Sequence, residues 1–267
     1  MKESAFVKHT TVFLRSLDFV KNPCVFDEVD STNATAKDLA KKGAQEGTVV
    51  LARTQKQGRG RFDRRWESPE GGVYLSLVLQ PQVPLKNISL LSFVAALAVV
   101  KTINTYGVHA TIKWPNDVRV NRRKIAGILL ESEGEGSTIT SVIVGIGVNL
   151  GIDLKRLPVE LQTNSTSLQD ELLRVVDYDK FLKKFFSMFH YLYVIYQEHR
   201  FSDIIAEWKT FADTLGKQVR IQTMTETLQG TAVDVDESGF LLLRTSEGEI
   251  MKVLSGDCLY FDALDHA

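Results

Sequence analysis

Thr54-Gln55-Lys56-Gln57-Gly58-Arg59-Gly60-Arg61-Phe62-Asp63-Arg64-Arg65-Trp66 separates two strand-like runs, Thr48–Thr54 and Val73–Leu79. The stretch carries five basic residues, one acidic residue and two glycines, and it ends in Trp. So little apolar surface leaves it nothing to bury, which predicts a loop between strands. Its glycines let backbone approach a ligand closely. Its guanidiniums can fork onto phosphate or carboxylate oxygens. The stretch reads as a flexible anion-binding flap with an aromatic platform at its end.

Upstream, Asp30-Ser31-Thr32 precedes Asn33–Lys42, a run of helical composition stopped by Gly43, with Ser31 or Thr32 as N-cap. Downstream, Ser89–Tyr106 predicts a long apolar helix capped by Ser89 and stopped by Gly107. Ile112–Trp114, Val118–Val120, Ile125–Glu131 and Ile139–Val148 are short, apolar and bounded by turn residues, which predicts a sheet. Tyr178–Glu198 and Ser202–Leu215 read as helices. After Gly216, short strands at Gln218–Met224, Thr227–Asp236, Phe240–Thr245 and Ile250–Leu254 predict a small β-barrel. Strands mixed with segregated helices argue for an α+β fold. The expected domains are 1–213 and 214–267.

Composition narrows the possibilities. Of 267 residues, 44% are hydrophobic and 24% charged, as in a globular protein with a sizeable core. Lys plus Arg is 32 against Asp plus Glu 33, so no general basic field exists to hold nucleic acid. Cys24 and Cys258 lie outside any metal or disulfide pattern and read as reduced thiols of a cytoplasmic protein. The opening Met1-Lys2-Glu3 starts no signal peptide. The apolar run Leu90–Val100 is too short to span a bilayer, so no membrane partner is expected.

Two familiar nucleotide motifs fail. Gly145-Ile146-Gly147-Val148-Asn149-Leu150-Gly151 resembles a dinucleotide fingerprint, but its third glycine is one position late and no helix follows. No Gly-x4-Gly-Lys-Ser/Thr segment exists, so there is no P-loop.

Lys113-Trp114-Pro115-Asn116-Asp117 is a second unusual cluster. Asn116 in a fixed turn can read a base edge, and Asp117 can hold Mg²⁺ beside phosphates. The plainer alternative is a polar turn with Trp114 in the core. Seven residues on, Lys124 opens the apolar run Lys124–Leu129. It is either solvated or faces a cleft, where it could stabilise charge during phosphoryl or acyl transfer.

In this order, Ser31-Thr32-Asn33, Gln55, Gly58–Arg61, Trp66, Lys113–Asp117, Lys124–Leu129 and Gly145–Leu150 resemble the biotin protein ligases, which attach biotin to carboxyl carrier proteins. The resemblance covers residues 28–151, and more weakly the C-terminal strands. It implies a mixed-sheet catalytic domain of the biotin/lipoate ligase superfold followed by a small Src-homology-3-like barrel. It implies biotin contacts from Ser31, Thr32, Asn33, Gln55, Arg59, Gly60, Arg61 and Lys124. Nucleotide contacts fall to Arg61, Arg64, Trp66, Lys113, Asn116 and Asn149, and a Mg²⁺ contact to Asp117. Lys124 and Arg61 would be catalytic, with biotin and ATP as substrates. The partner would be the biotin carboxyl carrier domain of a carboxylase, and the enzyme a monomer or homodimer. Lipoate or octanoate chemistry on the same superfold is the alternative. Some members carry an N-terminal helix-turn-helix. Only thirty residues precede Ser31 here, so a ligase without DNA binding is expected. One departure stands out: Asp63 occupies a loop position where the family usually has Gly. Asp tolerates positive φ better than most residues.

Overall fold

The computed structural model describes residues 3–135 and 138–261. Met1 and Lys2 of the opening tripeptide, and residues 262–267 at the end of the expected C-terminal domain, lie outside the described residues. In chain order the elements begin α1 (Ala5–Arg15), β1 (Asn22–Val29), α2 (Thr32–Lys41), β2 (Thr48–Gln55), β3 (Val73–Leu79) and α3 (Leu91–Asn104). Then follow β4 (Ala110–Lys113), β5 (Asp117–Val120), β6 (Arg123–Glu135), β7 (Thr138–Val148), α4 (Val159–Gln162) and α5 (Leu168–Leu172). The chain continues through α6 (Tyr178–Gln197), α7 (Phe201–Phe211), β8 (Gln218–Gln222), β9 (Thr227–Val235), β10 (Leu241–Arg244), β11 (Ile250–Val253) and β12 (Asp257–Tyr260).

The first seven strands form one mixed sheet in the order β1-β2-β3-β7-β6-β5-β4, in which β1 and β2 run parallel and all other pairs antiparallel. Alternation along the strands sorts side chains onto two faces. Val142, Val144, Ile146 and Val148 of β7 join the main core, together with α3, α6 and α7. Ile143, with Val78 of β3 and Val50 of β2, forms a smaller cluster with Ala36 of α2. Beyond Ile143 on that face come Gly145 and Gly147, where the sheet has no side chain of its own and leaves room for others to lie on it.

Most predicted elements form within a few residues of their expected bounds. Ser31 caps α2, its hydroxyl accepting from the Ala34 amide at 3.4 Å. The long apolar helix is the exception at its start. A 3-10 turn, Leu85–Leu90, precedes α3, so Ser89 is no cap; its hydroxyl donates to the Ser238 carbonyl. The joined segment Leu85–Asn104, longer than the run Leu90–Val100, is long and apolar enough, by length and composition alone, to cross a membrane. Most of it is buried between the sheet and helices α6 and α7. A helix apolar on all sides suits such a position.

β7 has partners on both edges, β3 and β6. It is an internal strand and has no open edge along which a second copy of the chain could pair. Five elements escaped the sequence reading: α1, β1, α4, α5 and β12. The last five strands form an antiparallel sheet ordered β11-β10-β9-β8-β12. This sheet is joined to the larger one through Trp114, whose indole N–H donates to the Gly239 carbonyl at 3.1 Å and whose amide N–H donates to Thr214 Oγ1 at 2.9 Å.

Candidate active site

A cavity of about 510 Å³ opens on the α2 face of the large sheet, where the strand glycines lie. All fourteen residues singled out in the sequence for biotin, nucleotide or metal contact line it.

One end of the cavity is a polar corner at the start of α2. The Thr32 amide donates to Gln55 Oε1 at 2.8 Å, and the Thr32 hydroxyl reaches the same oxygen at 3.1 Å. Gln55 Nε2 donates to Ser68 Oγ at 2.8 Å. From β3 below, the buried Ser76 hydroxyl lies 2.6 Å from Asn33 Oδ1 and 2.8 Å from Thr32 Oγ1. Asn33 can pack there because Gly145 has no Cβ: one added would stand 2.0 Å from Asn33 Oδ1. Short hydroxyl and amide groups are thus held at fixed angles. N-capping and cavity lining coexist at Ser31, as the sequence allowed.

The flap folds over the cavity as a small hairpin. The Gly60 amide donates to the Arg64 carbonyl at 2.7 Å, and the Trp66 amide to the Gly58 carbonyl at 2.9 Å. Phe62 and Asp63 turn it with φ of 53° and 56°. Asp63 therefore does stand at a position suited to Gly, in the left-handed region that Asp tolerates comparatively well. Trp66 lies on two glycines paired across β6 and β7, Gly127 and Gly147. A Cβ on Gly147 would approach its ring within 2.5 Å and one on Gly127 within 3.0 Å. The Trp66 indole nitrogen is buried without a hydrogen-bond partner.

The cations converge from several elements. Arg61 donates to Asn116 Oδ1 at 3.3 Å and to the Gly256 carbonyl at 3.2 Å. Burial lowers its pKa from the ordinary arginine value, against the opposing pull of Asp117 and Asp257. Arg64 pairs with Asp257. Lys124 pairs with Asp117 at 2.6 Å and stands 5.3 Å from the centre of the Trp66 ring. Lys124 therefore faces the cleft. Lys113 and Arg119 flank the Tyr260 ring at 5.3 and 5.5 Å. Seven Arg and Lys line the cavity against three carboxylates, Glu67, Asp117 and Asp257. Such a balance favours a polyanionic ligand.

Asn149 is more constrained than expected. Its side-chain N–H donates to the Thr166 carbonyl at 3.1 Å, tying down a segment that walls the cavity with Leu157, Leu161, Asn164 and Ser165. That segment was missed, although Asn164-Ser165-Thr166-Ser167 is a turn-and-cap signal and Ser167 does cap α5. Asp257, Cys258 and Leu259 of β12 were missed as well. Burial pushes the Cys258 thiol up to about 12, and both cysteines are free.

Residues 25–149 match the biotin/lipoate A/B protein ligase family, and residues 214–259 match the biotin protein ligase C-terminal domain. The bifunctional ligase/repressor BirA of Bacillus subtilis is 40% identical over 233 residues, covering 86% of this chain and 71% of that protein. The biotin–[acetyl-CoA-carboxylase] ligase of Paracoccus denitrificans is 40% identical over 223 residues, covering 82% and 92%. The biotin protein ligase from Aquifex aeolicus, solved in complex with biotin and ATP, superposes with a TM-score of 0.78 at 30% identity, covering 90% of this chain and 98% of that one. The chain belongs to the biotin protein ligase family.

Proposed function

We propose that this enzyme joins biotin to ATP in the cavity beneath the flap and then passes biotin to a lysine of a carboxylase carrier domain. A biotin carboxylate oxygen attacks the α-phosphorus, the bond to the β-phosphate oxygen breaks, and pyrophosphate leaves. The lysine amine then attacks the acyl carbon of biotinyl-5′-AMP, an amide forms, and AMP leaves while the amine loses a proton. The observation that carries this reading is the convergence of fourteen dispersed residues on one cavity.

The polar corner of Ser31, Thr32, Asn33 and Gln55 suits the ureido ring, which offers two N–H donors and one carbonyl acceptor. Arg59 and Gly60 would close over the biotin tail. Trp66 would be the platform for adenine. Asn116 and Asn149 lie on the adenine side, Asn149 with one amide hydrogen already committed. Arg61, Arg64 and Lys113 would hold phosphates, and Lys124 the biotin carboxylate and the acyl-phosphate oxygen. No enzyme nucleophile is required. Positioning and charge neutralisation by Arg61 and Lys124 supply the catalysis, and the flap shields a hydrolysable anhydride from water.

Among the described residues no group of three or more His, Cys, Asp and Glu is placed to hold a metal ion. Asp117 is already paired with Lys124. One carboxylate of this kind fits a Mg²⁺ carried chiefly by the phosphates of ATP. When bound, that ion would neutralise phosphate charge. Two free thiols fit a reducing compartment, so we place the reaction in the cytoplasm.

The test is incubation with ATP, Mg²⁺, biotin and a carboxyl carrier fragment. A carrier heavier by one biotinyl group supports the proposal; an unchanged carrier mass, with lipoate accepted in its place, overturns it.

A further inference from the structure

Resting on that reading of the cavity, we propose that Glu131, which does not line the cavity, is the positioning residue that ties the ureido corner to the flap. Glu131 lies on β6, its side chain 15% exposed. Its two oxygens serve different elements. Oε2 accepts from Asn33 Nδ2 at 2.8 Å, and Oε1 accepts from Arg59 Nη1 at 3.0 Å.

The first contact decides which way the Asn33 amide faces. A carboxylate only accepts hydrogen bonds, so it requires the NH₂ end of the amide. The carbonyl end is then left to the Ser76 hydroxyl. Without Glu131 the two ends of the amide would compete for one orientation, and the polar corner would lose its fixed pattern of donors and acceptors. The second contact anchors the first arm of the flap. The second arm is anchored from the same corner: Gln55 holds the Ser68 hydroxyl, and that hydroxyl donates to the Trp66 carbonyl at 3.1 Å. Both arms of the flap are therefore tied by hydrogen bonds to the groups proposed to read biotin, the first of them through Glu131.

Lys37 and Lys41 do not compete for this carboxylate, because they pair with Glu133. Glu131 and Glu133 lie two apart on one strand, so they share a face. Of these two, only Glu131 reaches the flap.

The test is steady-state biotin-dependent pyrophosphate exchange, with retention of radiolabelled biotinyl-5′-AMP measured in parallel. For Glu131→Gln the expected result is a biotin KM raised about tenfold or more, kcat little changed, and faster escape of the adenylate. Arg59→Met should also speed escape. The double variant should escape no faster than Arg59→Met, because Glu131 acts on the flap through Arg59. Asn33→Asp sets two carboxylates against each other and should lose biotin affinity; adding Glu131→Gln should recover part of it. An unchanged biotin KM in Glu131→Gln overturns the inference. So do equal rises in both substrate KM values with a lowered melting temperature, additive escape rates, or no recovery in the Asn33→Asp background. If the parent chain itself shows no biotin-dependent exchange, the functional reading fails first.

Discussion

Gly147 shows how one residue type can mislead in sequence and explain itself in structure. Gly145, Gly147 and Gly151 suggest a phosphate-binding turn, but spacing and context argue against one. What they do instead follows from strand alternation: Gly145 and Gly147 share a face of β7, and each makes room for a side chain laid on the sheet, Asn33 and Trp66. For Gly147→Ala, the added methyl should displace the Trp66 ring at a cost of about 1–3 kcal/mol. The expected outcome is a raised KM for ATP, a shifted Trp emission and a preserved fold; unchanged ATP kinetics would remove Trp66 from the adenine side. Lys124→Ala should lower adenylate formation by roughly 10²-fold or more, as the loss of a charge-stabilising group does. Pyrophosphate exchange equal to that of the parent would show the assignment to be wrong. The sequence could not decide between a solvated and a cleft-facing Lys124. That depends on Asp117, seven residues away in sequence and 2.6 Å away in space. Asp63 was legible, because the need for positive φ is a local property.

At the scale of elements, long periodic runs read well and short or borderline ones did not. Val73–Leu79 came out with its bounds intact because valine, leucine and Tyr74 dominate it after the turn signal Gly71-Gly72. α1 carries Thr10, Thr11 and Val12 in succession, a poor helix signal, and forms with Leu14 buried and Phe6 set edge-on against Tyr178 at 6.1 Å. β12 has only four residues, and its pairing with β8 is not written locally. Yet β12 meets the flap through Asp257 and Arg64, and Gly256 just before it does so through its carbonyl and Arg61. The flap is thus fastened to the C-terminal sheet as well as to the large one. Asp257→Ala should make residues 58–66 more sensitive to limited proteolysis, and biotin plus ATP should restore protection. Identical digestion of variant and parent would show that the contact does not hold the flap.

Across the whole molecule, the mixed α+β class and the small C-terminal unit were legible, but not how firmly the two parts are joined. Trp114 is buried, as the plainer sequence alternative held, and it also bridges the two sheets. Gly239 sits against Leu90 and Phe93 of the central helical segment, where a side chain would be within 3.0 Å of Leu90. Phe93 stacks on Trp208 at 4.2 Å. The turn before Gly239 carries a titratable group that should report on this junction. Burial alone would raise the pKa of Asp236, but its pairing with Lys252 and the Phe240 and Ser238 amides more than offset that and hold it below the usual carboxylate value. A depressed folded-state pKa contributes stability above the unfolded value of about 3.9 and loses it as pH falls through the folded value. Asp236→Asn should therefore lower the melting temperature at pH 7 and narrow the gap between melting at pH 7 and at pH 3. An equal gap in variant and parent would count against this contribution.

The pairing of Lys124 with Asp117 and of Arg64 with Asp257 has a consequence for how substrates arrive. The cavity behaves as an ion exchanger: each of these cations already holds a counter-ion of the protein's own. Incoming phosphate or carboxylate must trade places with a tethered carboxylate rather than meet a bare charge. Neutralising Asp117 or Asp257 would therefore favour any small anion in solution, not the substrate alone. Chloride or free phosphate should then inhibit such variants more strongly than the parent. On that expectation the two aspartates would act as gatekeepers of selectivity, keeping a strongly basic pocket from filling with the wrong anion.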